Sequence, residues 1–306
     1  MRQRKKDMVK SIGLLMMMLP FWVNAQKDTA LNPPIRYRIS LEDYREGKRD
    51  YSIMPYLVKT ARDLKEKGVA DSITQDYLHN YLYKLNGDEL YTKDNIELIV
   101  SGVRSSAEKG FSMFYLHPDR VDEVMKQKGY SQGVVDYFIT KEEIGPHLYK
   151  DKKPVMDMPD WHQMEATITR KYNRSYAERT ILNAQIRWNR MKGDWTELVR
   201  GEVLKVDRYG LDTAGFWAIV GTNNMIYNDI FLHDTDKLIL NKALDWMIVL
   251  LQKDPNNAEE IDTYANILYK VGRTEEALKW EKIAAASEKP DILKDFELMQ
   301  SGQKTW

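Results

Sequence analysis

Apolar residues recur at steps of three and four along much of the chain, which is the spacing of amphipathic helices. Over residues 54–85, this spacing predicts two successive helices. Gly68 lies where the first helix should end, because glycine tolerates the left-handed conformation common at helix termini. Ser72 and Gln75 have the spacing of a capping box, so the second helix should begin there.

Further helices follow from the same kinds of signal. Pro118 suits the first turn of a helix that Gly129 closes. Thr140 and Glu143 have capping-box spacing, which predicts another helix start. The sequence lacks alternating polar and apolar runs joined by hairpin turns, which are typical of strands. We therefore expect an all-α fold.

The stretch 145–160 carries three prolines and a cluster of charges between two periodic regions. This composition is typical of a boundary. We expect an extension at 26–50, a helical region at 51–147, and a second helical region at 160–301. The pattern after the boundary predicts helices near 159–172, 174–192, 194–209, 212–230, 236–254, 257–271, 273–287 and 290–301.

Three similar turns separate these helices: "KGDW" at 192–195, "HDTD" at 233–236 and "VGRT" at 271–274. Their centres lie about 41 and 38 residues apart, close to the period of helical-hairpin repeats. The last turn lies in "DTYANILYKVGRTEEALKW" (262–280), which resembles a tetratricopeptide repeat. The resemblance covers about 240–287. It implies helical hairpins stacked as a tetratricopeptide-like solenoid.

The residues that carry this resemblance are small or apolar: Ala243, Ala265, Leu268, Val271, Gly272, Ala277 and Ala284, with Pro255 at the end of the preceding repeat. In this register we expect Ala265 and Ala277 to face each other across the hairpin, with Gly272 at positive φ. Glu281 departs from the pattern, because it stands where the family usually has an aromatic residue.

A second resemblance is closer. The segments "YLHPDRVDEVMKQKGY" (115–130), "NKALDWMIVLL" (241–251) and "DTYANILYKVGRTEEALKWEKIA" (262–284) resemble the helical region attached to many secreted thioredoxin-like proteins of Bacteroidota. The resemblance would cover most of 45–287 and implies an exported helical region. In that family, a separate thioredoxin domain with a Cys-x-x-C pair does the redox chemistry. This chain has no cysteine, so that activity does not carry over.

The first 25 residues have the form of a secretory signal peptide, in which basic residues precede the apolar run Ile12–Val23. The run is shorter than the roughly 20 residues that span a membrane, which disfavours the alternative of an uncleaved anchor. Val23 and Ala25 satisfy the small-residue cleavage rule, so we expect cleavage after Ala25. The mature protein would then be periplasmic or secreted.

Charge and composition exclude several classes of function. The 46 basic and 46 acidic side chains balance, and removing residues 1–25 takes away five basic and one acidic, leaving a charge of −4. That charge argues against a nucleic-acid partner. The most apolar later run, "LDWMIVLL" at 244–251, is too short for a membrane span and predicts a buried helix. With no cysteine, stability depends on the core rather than on disulfides.

No motif points to catalysis, a metal or a cofactor. The five histidines, His79, His117, His147, His162 and His233, lack the spacing of metal-binding pairs, so surface or structural roles are favoured. Ser106 and Lys109 match S-x-x-K but lack the partner motifs of penicillin-recognising enzymes. Nucleotide and esterase signatures are also absent from the sequence. We therefore predict a protein that is not an enzyme.

Two other groups of residues have competing interpretations. The pairs Glu142–Glu143 and Glu259–Glu260 could serve acid–base catalysis, but they lie in the first turns of predicted helices, where carboxylates favour the macrodipole. The tryptophans could form a stacking platform for a sugar or peptide, yet helical context favours core or repeat-interface roles. The tryptophans concerned are Trp188, Trp195, Trp217, Trp246 and Trp280.

We therefore expect a non-catalytic helical-repeat scaffold that binds a protein or peptide in the cell envelope. The alternative is an accessory subunit of a separately encoded thioredoxin-like oxidoreductase, or an unrecognised envelope enzyme. In the repeat register, one side of the 257–271 helix should form the partner-binding groove, where Asn266 would bind main-chain amides. The predicted groove residues are Glu259, Asp262, Asn266, Tyr269 and Lys270. The competing interpretation is that Asn266 merely caps a helix or bridges to a neighbouring one, and that the 290–301 helix covers this side.

Overall fold

A computed structural model describes residues 33–151, 153–155 and 157–306. The predicted signal peptide at 1–25 lies outside the described residues, as does the start of the 26–50 extension. The chain divides into two compact units, the first ending at Val135 and the second beginning at Asp136. This division precedes the stretch 145–160, which lies within the second unit.

The first unit consists of helices joined by short turns. Its elements are α1 (Pro33–Arg45), a 3₁₀ turn (Tyr51–Ile53), α2 (Met54–Asp63), α3 (Lys67–Asn80), a 3₁₀ turn (Leu82–Lys84), α4 (Gly87–Leu90), α5 (Lys93–Gly102), α6 (Lys109–Leu116), α7 (Pro118–Met125) and the start of α8 (Tyr130–Ile139). Fully buried side chains from α2, α3, α5, α6 and α7 form its interior, including Met54, Leu57, Ile73, Leu78, Ile96, Ile99, Phe114 and Val121.

The predicted helix boundary at Gly68 and Ser72 is wrong. Lys65, not Gly68, adopts the left-handed conformation, with φ of 61°. The backbone N–H of Glu66 donates to Ala61 O at 2.8 Å and that of Lys65 to Arg62 O at 2.9 Å, which closes the end of α2. Gly68 and Ser72 therefore lie inside α3, which begins at Lys67.

Two other boundary signals also proved wrong. The helix that begins at Pro118 ends at Met125, because Lys126 takes the left-handed conformation with φ of 52°. Gly129 then lies in the loop before α8. Thr140 and Glu143 do not begin a helix, since α8 continues directly into a π-helical segment at Thr140–Ile144.

The second unit is also mainly helical. Its elements are the end of α8, the π-helical segment Thr140–Ile144, α9 (Gly145–Leu148), β1 (Tyr149–Lys150), β2 (Lys153–Pro154), α10 (Trp161–Lys171), α11 (Arg174–Lys192), α12 (Trp195–Tyr209), α13 (Phe216–Met225), a second π-helical segment (Ile226–Phe231), α14 (Lys237–Lys253), α15 (Ala258–Val271), α16 (Thr274–Ala285) and α17 (Pro290–Gln300). The two short strands pair antiparallel, with Tyr149 opposite Pro154 and Lys150 opposite Lys153. This ribbon, which sequence patterning did not predict, leaves the fold all-α in class.

Helix bounds in the second unit agree closely with the sequence-based expectation, because local caps set them. The Asn173 side chain accepts from Tyr176 N at 3.0 Å where α11 begins. Gly193 ends α11 at φ of 73°, and Asp194 immediately caps α12 by accepting from Glu197 N at 3.2 Å. Two adjacent residues thus end one helix and begin the next.

The helices of the second unit pack in chain order, with α14, α15, α16 and α17 each contacting the next. The predicted hairpin register is consistent with this packing: Ala243, Ala265 and Ala277 are fully buried in one cluster with Leu268 and Met247. Gly272 has φ of 95°, as expected. Among the described residues, no helix is both long and apolar enough to span a membrane.

Candidate functional site

The five predicted groove residues do lie on one side of α15, but other parts of the second unit cover most of that side. Glu259, at its start, is exposed and pairs with Lys289 at 2.8 Å, just before α17. Asn266, at its middle, is fully buried. The prediction that Asn266 faces an open groove is therefore wrong for this conformation. Its two hydrogen bonds go to Asp262 on the same helix, so the competing interpretation, in which Asn266 bridges to a neighbouring helix, stays a prediction.

Asn266 belongs to a buried polar cluster. Its side-chain amide donates to the Asp262 carboxylate and to the Asp262 carbonyl, both at 3.0 Å. Glu281, on α16, approaches the same carboxylate and is itself fully buried. Asp295, on α17, adds further negative charge to the cluster. The cluster, Asp262, Asn266, Glu281 and Asp295, thus joins three consecutive helices.

The surroundings of Glu281 favour its neutral form. Burial, followed by the negative charge of Asp262 and a hydrogen bond with it, raises the pKa of Glu281 far above its ordinary value. Two ionised carboxylates could not hydrogen-bond to each other, since neither would carry a donor. A protonated Glu281 supplies that donor, so its O–H can bond to Asp262. The residue that departs from the repeat pattern is thus a buried acid in place of an aromatic ring.

Near the C-terminal end of α15, Tyr269 and Lys270 contact Trp306. The Trp306 ring packs edge-on against Tyr269, with ring centres 6.2 Å apart, and against Phe231 at 6.1 Å. The Lys270 ammonium lies 5.1 Å from the centre of the Trp306 ring and donates to the Phe231 carbonyl. An aromatic side chain of this chain therefore occupies the end of the predicted groove.

A second polar cluster joins α11, α12 and the second π-helical segment. Arg190 donates to Asp229 at 2.5 Å and to Glu202 at 3.0 Å. Both carboxylates are buried, whereas the Arg190 side chain is 43% exposed. Burial raises the pKa of Glu202 more strongly than Lys205 and Arg190 lower it. These ion pairs link α11, α12 and the second π-helical segment. Each of the two buried carboxylates has Arg190 as its charged partner.

The tryptophans divide into buried and exposed groups. Trp246 is buried, and Trp188 and Trp280 are partly buried, as expected for core and interface residues. Trp195 is 37% exposed and stacks on His233, with ring centres 3.7 Å apart. Trp217 is 57% exposed, so the interpretation as a core residue is wrong for it. All five histidines are exposed, consistent with a surface role.

Trp217 forms an exposed aromatic pair with Phe216, which is 61% exposed. Their ring centres lie 5.1 Å apart at an interplanar angle of 73°. The pair stands at the first turn of α13, after a loop in which Gly215 has φ of 107°. A hydrogen bond from α13 restrains this loop, since the Thr222 hydroxyl donates to the Asp212 carbonyl at 2.7 Å. We call Phe216 and Trp217 the aromatic tip.

The depressions found on the described surface are not enclosed. The two best-formed depressions are shallow and open to solvent, one beside His162 and Arg170 and the other beside Arg273 and Lys279. Within the described ranges, no group of three or more histidines and carboxylates is arranged to hold a metal ion. The aromatic tip is therefore the feature that most resembles a binding surface.

No protein-family profile matches the chain, and comparison with curated proteins and with solved structures gives no significant match.

Proposed function

We propose that the protein is an exported, non-catalytic scaffold that binds another protein or a peptide of the cell envelope. Its second unit would be a tetratricopeptide-like stack of helical hairpins. The consecutive packing of α14 to α17, the small buried residues Ala265 and Ala277, and the left-handed Gly272 support this architecture. The basic and apolar sequence of residues 1–25 supports export.

The aromatic tip is the observation that carries the proposal. Burying a large aromatic side chain removes much apolar surface from water, so two adjacent exposed rings are costly unless a partner covers them. Tryptophan is also enriched among the residues that dominate binding energy at protein interfaces. Phe216 and Trp217 are both more than half exposed. An apolar pocket or groove on a partner is the surface that would receive them.

The local structure suits a projecting anchor. The apolar residues of α13, at 216–220, lie in its first half, and the polar Thr222, Asn223 and Asn224 lie in its second half. Its later residues Thr222 and Asn223 are buried, so the helix is held at that end while Phe216 and Trp217 project at the other. A fixed anchor loses little side-chain freedom on binding, which favours affinity.

The experiment replaces Trp217 with a photo-crosslinking phenylalanine analogue in the producing cells. We expect crosslinks to a small set of envelope proteins. The matched control carries the same analogue at Leu116, which is 62% exposed and lies in the first unit. The crosslinked species should also begin at Gln26 when its N-terminus is sequenced, which tests export.

A second arm uses the double variant Phe216→Ala with Trp217→Ala. Because both side chains are exposed, thermal stability should change little, while copurification of the crosslinked partner should be lost. Crosslinks that appear equally at Leu116 and Trp217 would contradict a specific role for the aromatic tip. Retention of the partner by the double variant would contradict it as well.

A further inference from the structure

The site around Trp306 has the features of a small aromatic-binding pocket. Phe231 is fully buried and Tyr269 half-buried, and both present ring edges or faces to the Trp306 indole at interplanar angles of 75° and 70°. Such edge-to-face pairs are the preferred geometry of interacting aromatic rings. The Lys270 ammonium lies over both the Phe231 and Trp306 rings, at 5.0 Å and 5.1 Å from their centres.

Lys270 makes the pocket selective for an aromatic group. Its ammonium donates to the Phe231 carbonyl and lies over two aromatic rings, with the charges of Asp234 and Lys304 nearby. Burial lowers the pKa of Lys270, which reports the cost of keeping this charge away from water. The negative face of an indole offsets that cost by a cation–π interaction, whereas an aliphatic side chain offers no charge distribution of this kind.

The segment that carries Trp306 makes few backbone hydrogen bonds. The backbone N–H groups of Gly302 and Gln303 close the end of α17, donating to Met299 O at 3.1 Å and Leu298 O at 2.8 Å. In the described structure, Lys304–Trp306 make no hydrogen bond to other backbone groups. The Thr305 hydroxyl is buried without a hydrogen-bond partner. Ring and cation–π contacts of Trp306 therefore contribute to holding this segment in place.

From this geometry we infer that Phe231, Tyr269 and Lys270 form a peptide-binding site for a tryptophan-bearing segment, and that Trp306 occupies it as a tethered competitor. The inference rests on the proposed function, since it names a second contact for a peptide partner, made by residues other than those of the aromatic tip. A partner segment with an exposed tryptophan would displace Trp306. Displacement breaks no backbone hydrogen bonds of Lys304–Trp306, and it exchanges one indole for another.

The test uses the full chain and the synthetic hexapeptide Ser-Gly-Gln-Lys-Thr-Trp, which reproduces residues 301–306. Binding is followed by the backbone amide NMR signals of Tyr269 and Lys270, in the intact chain and in Trp306→Ala. A tethered group acts at a high effective concentration, so we expect the variant to bind the hexapeptide at least ~tenfold more tightly than the intact chain. A hexapeptide with alanine in place of tryptophan is the control and should not bind.

A further variant tests the pocket itself. Lys270→Gln, combined with Trp306→Ala, removes the cation–π contact and should weaken hexapeptide binding by about threefold or more. The inference would be overturned if Trp306→Ala failed to bind the hexapeptide, if the intact chain bound it equally well, or if the signals that shift lay away from Tyr269 and Lys270. None of these outcomes involves Phe216 or Trp217, so failure here leaves the crosslinking test of the scaffold function independent.

Discussion

The two units differ in what they bury. Among the described residues of the first unit, the buried polar side chains are Thr74 and Ser131, which are small and uncharged. The second unit buries charged and amide groups as well, including Arg179, Glu202, Asp229, Glu260, Asn266 and Glu281. The first interior is therefore held by apolar packing, whereas the second also depends on pairing and on protonation.

This difference has energetic consequences. A buried carboxylate costs free energy unless it is paired, hydrogen-bonded or neutral. In the second unit, Glu202 and Asp229 are paired with Arg190, and burial raises the pKa of Glu281 so that its neutral form is favoured. Changes in pH or the loss of one partner should thus affect the second unit more strongly than the first. Changes in packing volume should affect the first unit most directly.

The largest expected effect is a pH dependence of the second unit that Glu281 causes. Its pKa is raised in the folded state, so between about pH 5 and pH 9 the folded form holds a proton that the unfolded form releases. Stability should therefore fall as pH rises, by roughly 1 kcal/mol per pH unit over that window. Hydrogen exchange of α15, α16 and α17 amides measures this stability for the second unit separately.

Glu281→Gln should flatten the slope, because a glutamine amide can donate to Asp262 at every pH. A smaller slope should remain below about pH 7, since burial, followed by the charges of Asp254 and Glu259, raises the pKa of Glu260 to about 7. Amides of α2 and α3 in the first unit serve as the internal control. Equal pH slopes in the wild type and Glu281→Gln would mean that Glu281 is ionised in the fold.

The next largest effect should come from removing Arg190. Arg190→Ala would leave two buried carboxylates without their partner, which costs about 3–5 kcal/mol in a fully buried pair. Because the Arg190 side chain is 43% exposed, we expect a smaller loss, about 2–3 kcal/mol. Urea unfolding followed by hydrogen exchange in α11 and α12 measures it.

Arg174→Ala is the matched control for this change. Arg174 lies on the same helix and pairs with Glu178 at 2.7 Å, but its side chain is 82% exposed. The control should lose at most about 0.5 kcal/mol, as exposed pairs on one helix do. A similar loss in both variants would show that the cluster of Arg190, Glu202 and Asp229 does not stabilise the second unit.

The smallest effect concerns packing in the first unit. A methyl group added at Gly102 would meet the Leu78 side chain and lie 2.7 Å from Thr74 Cγ2. Gly102→Ala should therefore destabilise this unit by about 1–3 kcal/mol through overpacking. Gly68→Ala is the contrast, since no atom lies within 4 Å of the added methyl and Gly68 is inside α3.

We expect Gly68→Ala to stabilise the first unit by about 0.5–1 kcal/mol, because alanine favours helix over glycine. Thermal unfolding monitored in both variants compares the two glycines. If Gly102→Ala is neutral, the contact between α3 and α5 is looser than the structure indicates. If Gly68→Ala destabilises, Gly68 has a role in the turn that its helical position does not suggest.

Helix positions could be predicted best where short-range signals act alone. Asn173 and Gly193 lie at the two ends of α11, and the helix has the bounds that the sequence predicts. The failures are of two kinds: the boundary predicted at Gly68 and Ser72 lies earlier, at Lys65, whereas the helix runs through Thr140 without ending. A propensity of about 1 kcal/mol is easily overridden by the burial of a helix face.

The candidate site could be predicted only in part. Steps of three and four correctly placed Glu259, Asp262 and Lys270 on one side of α15, since helical geometry alone fixes which residues share a side. Whether that side is open depended on α17 and Trp306, which are distant in sequence. Partner binding at these residues stays a prediction. The aromatic tip was missed because a tryptophan in a helical pattern is usually part of a core.

The sequence by itself determined the helical class, most helix bounds of the second unit and the left-handed Gly272, because each depends on neighbours within a few residues. Only the tertiary structure decided which side chains are buried away from solvent. It buried Glu281 and Asn266 between helices, left Phe216 and Trp217 exposed, and placed Trp306 on Lys270. Burial depends on contacts between chain segments that are far apart in sequence. Those contacts shift the pKa of an acid such as Glu281 and decide whether an aromatic ring such as Trp217 is exposed.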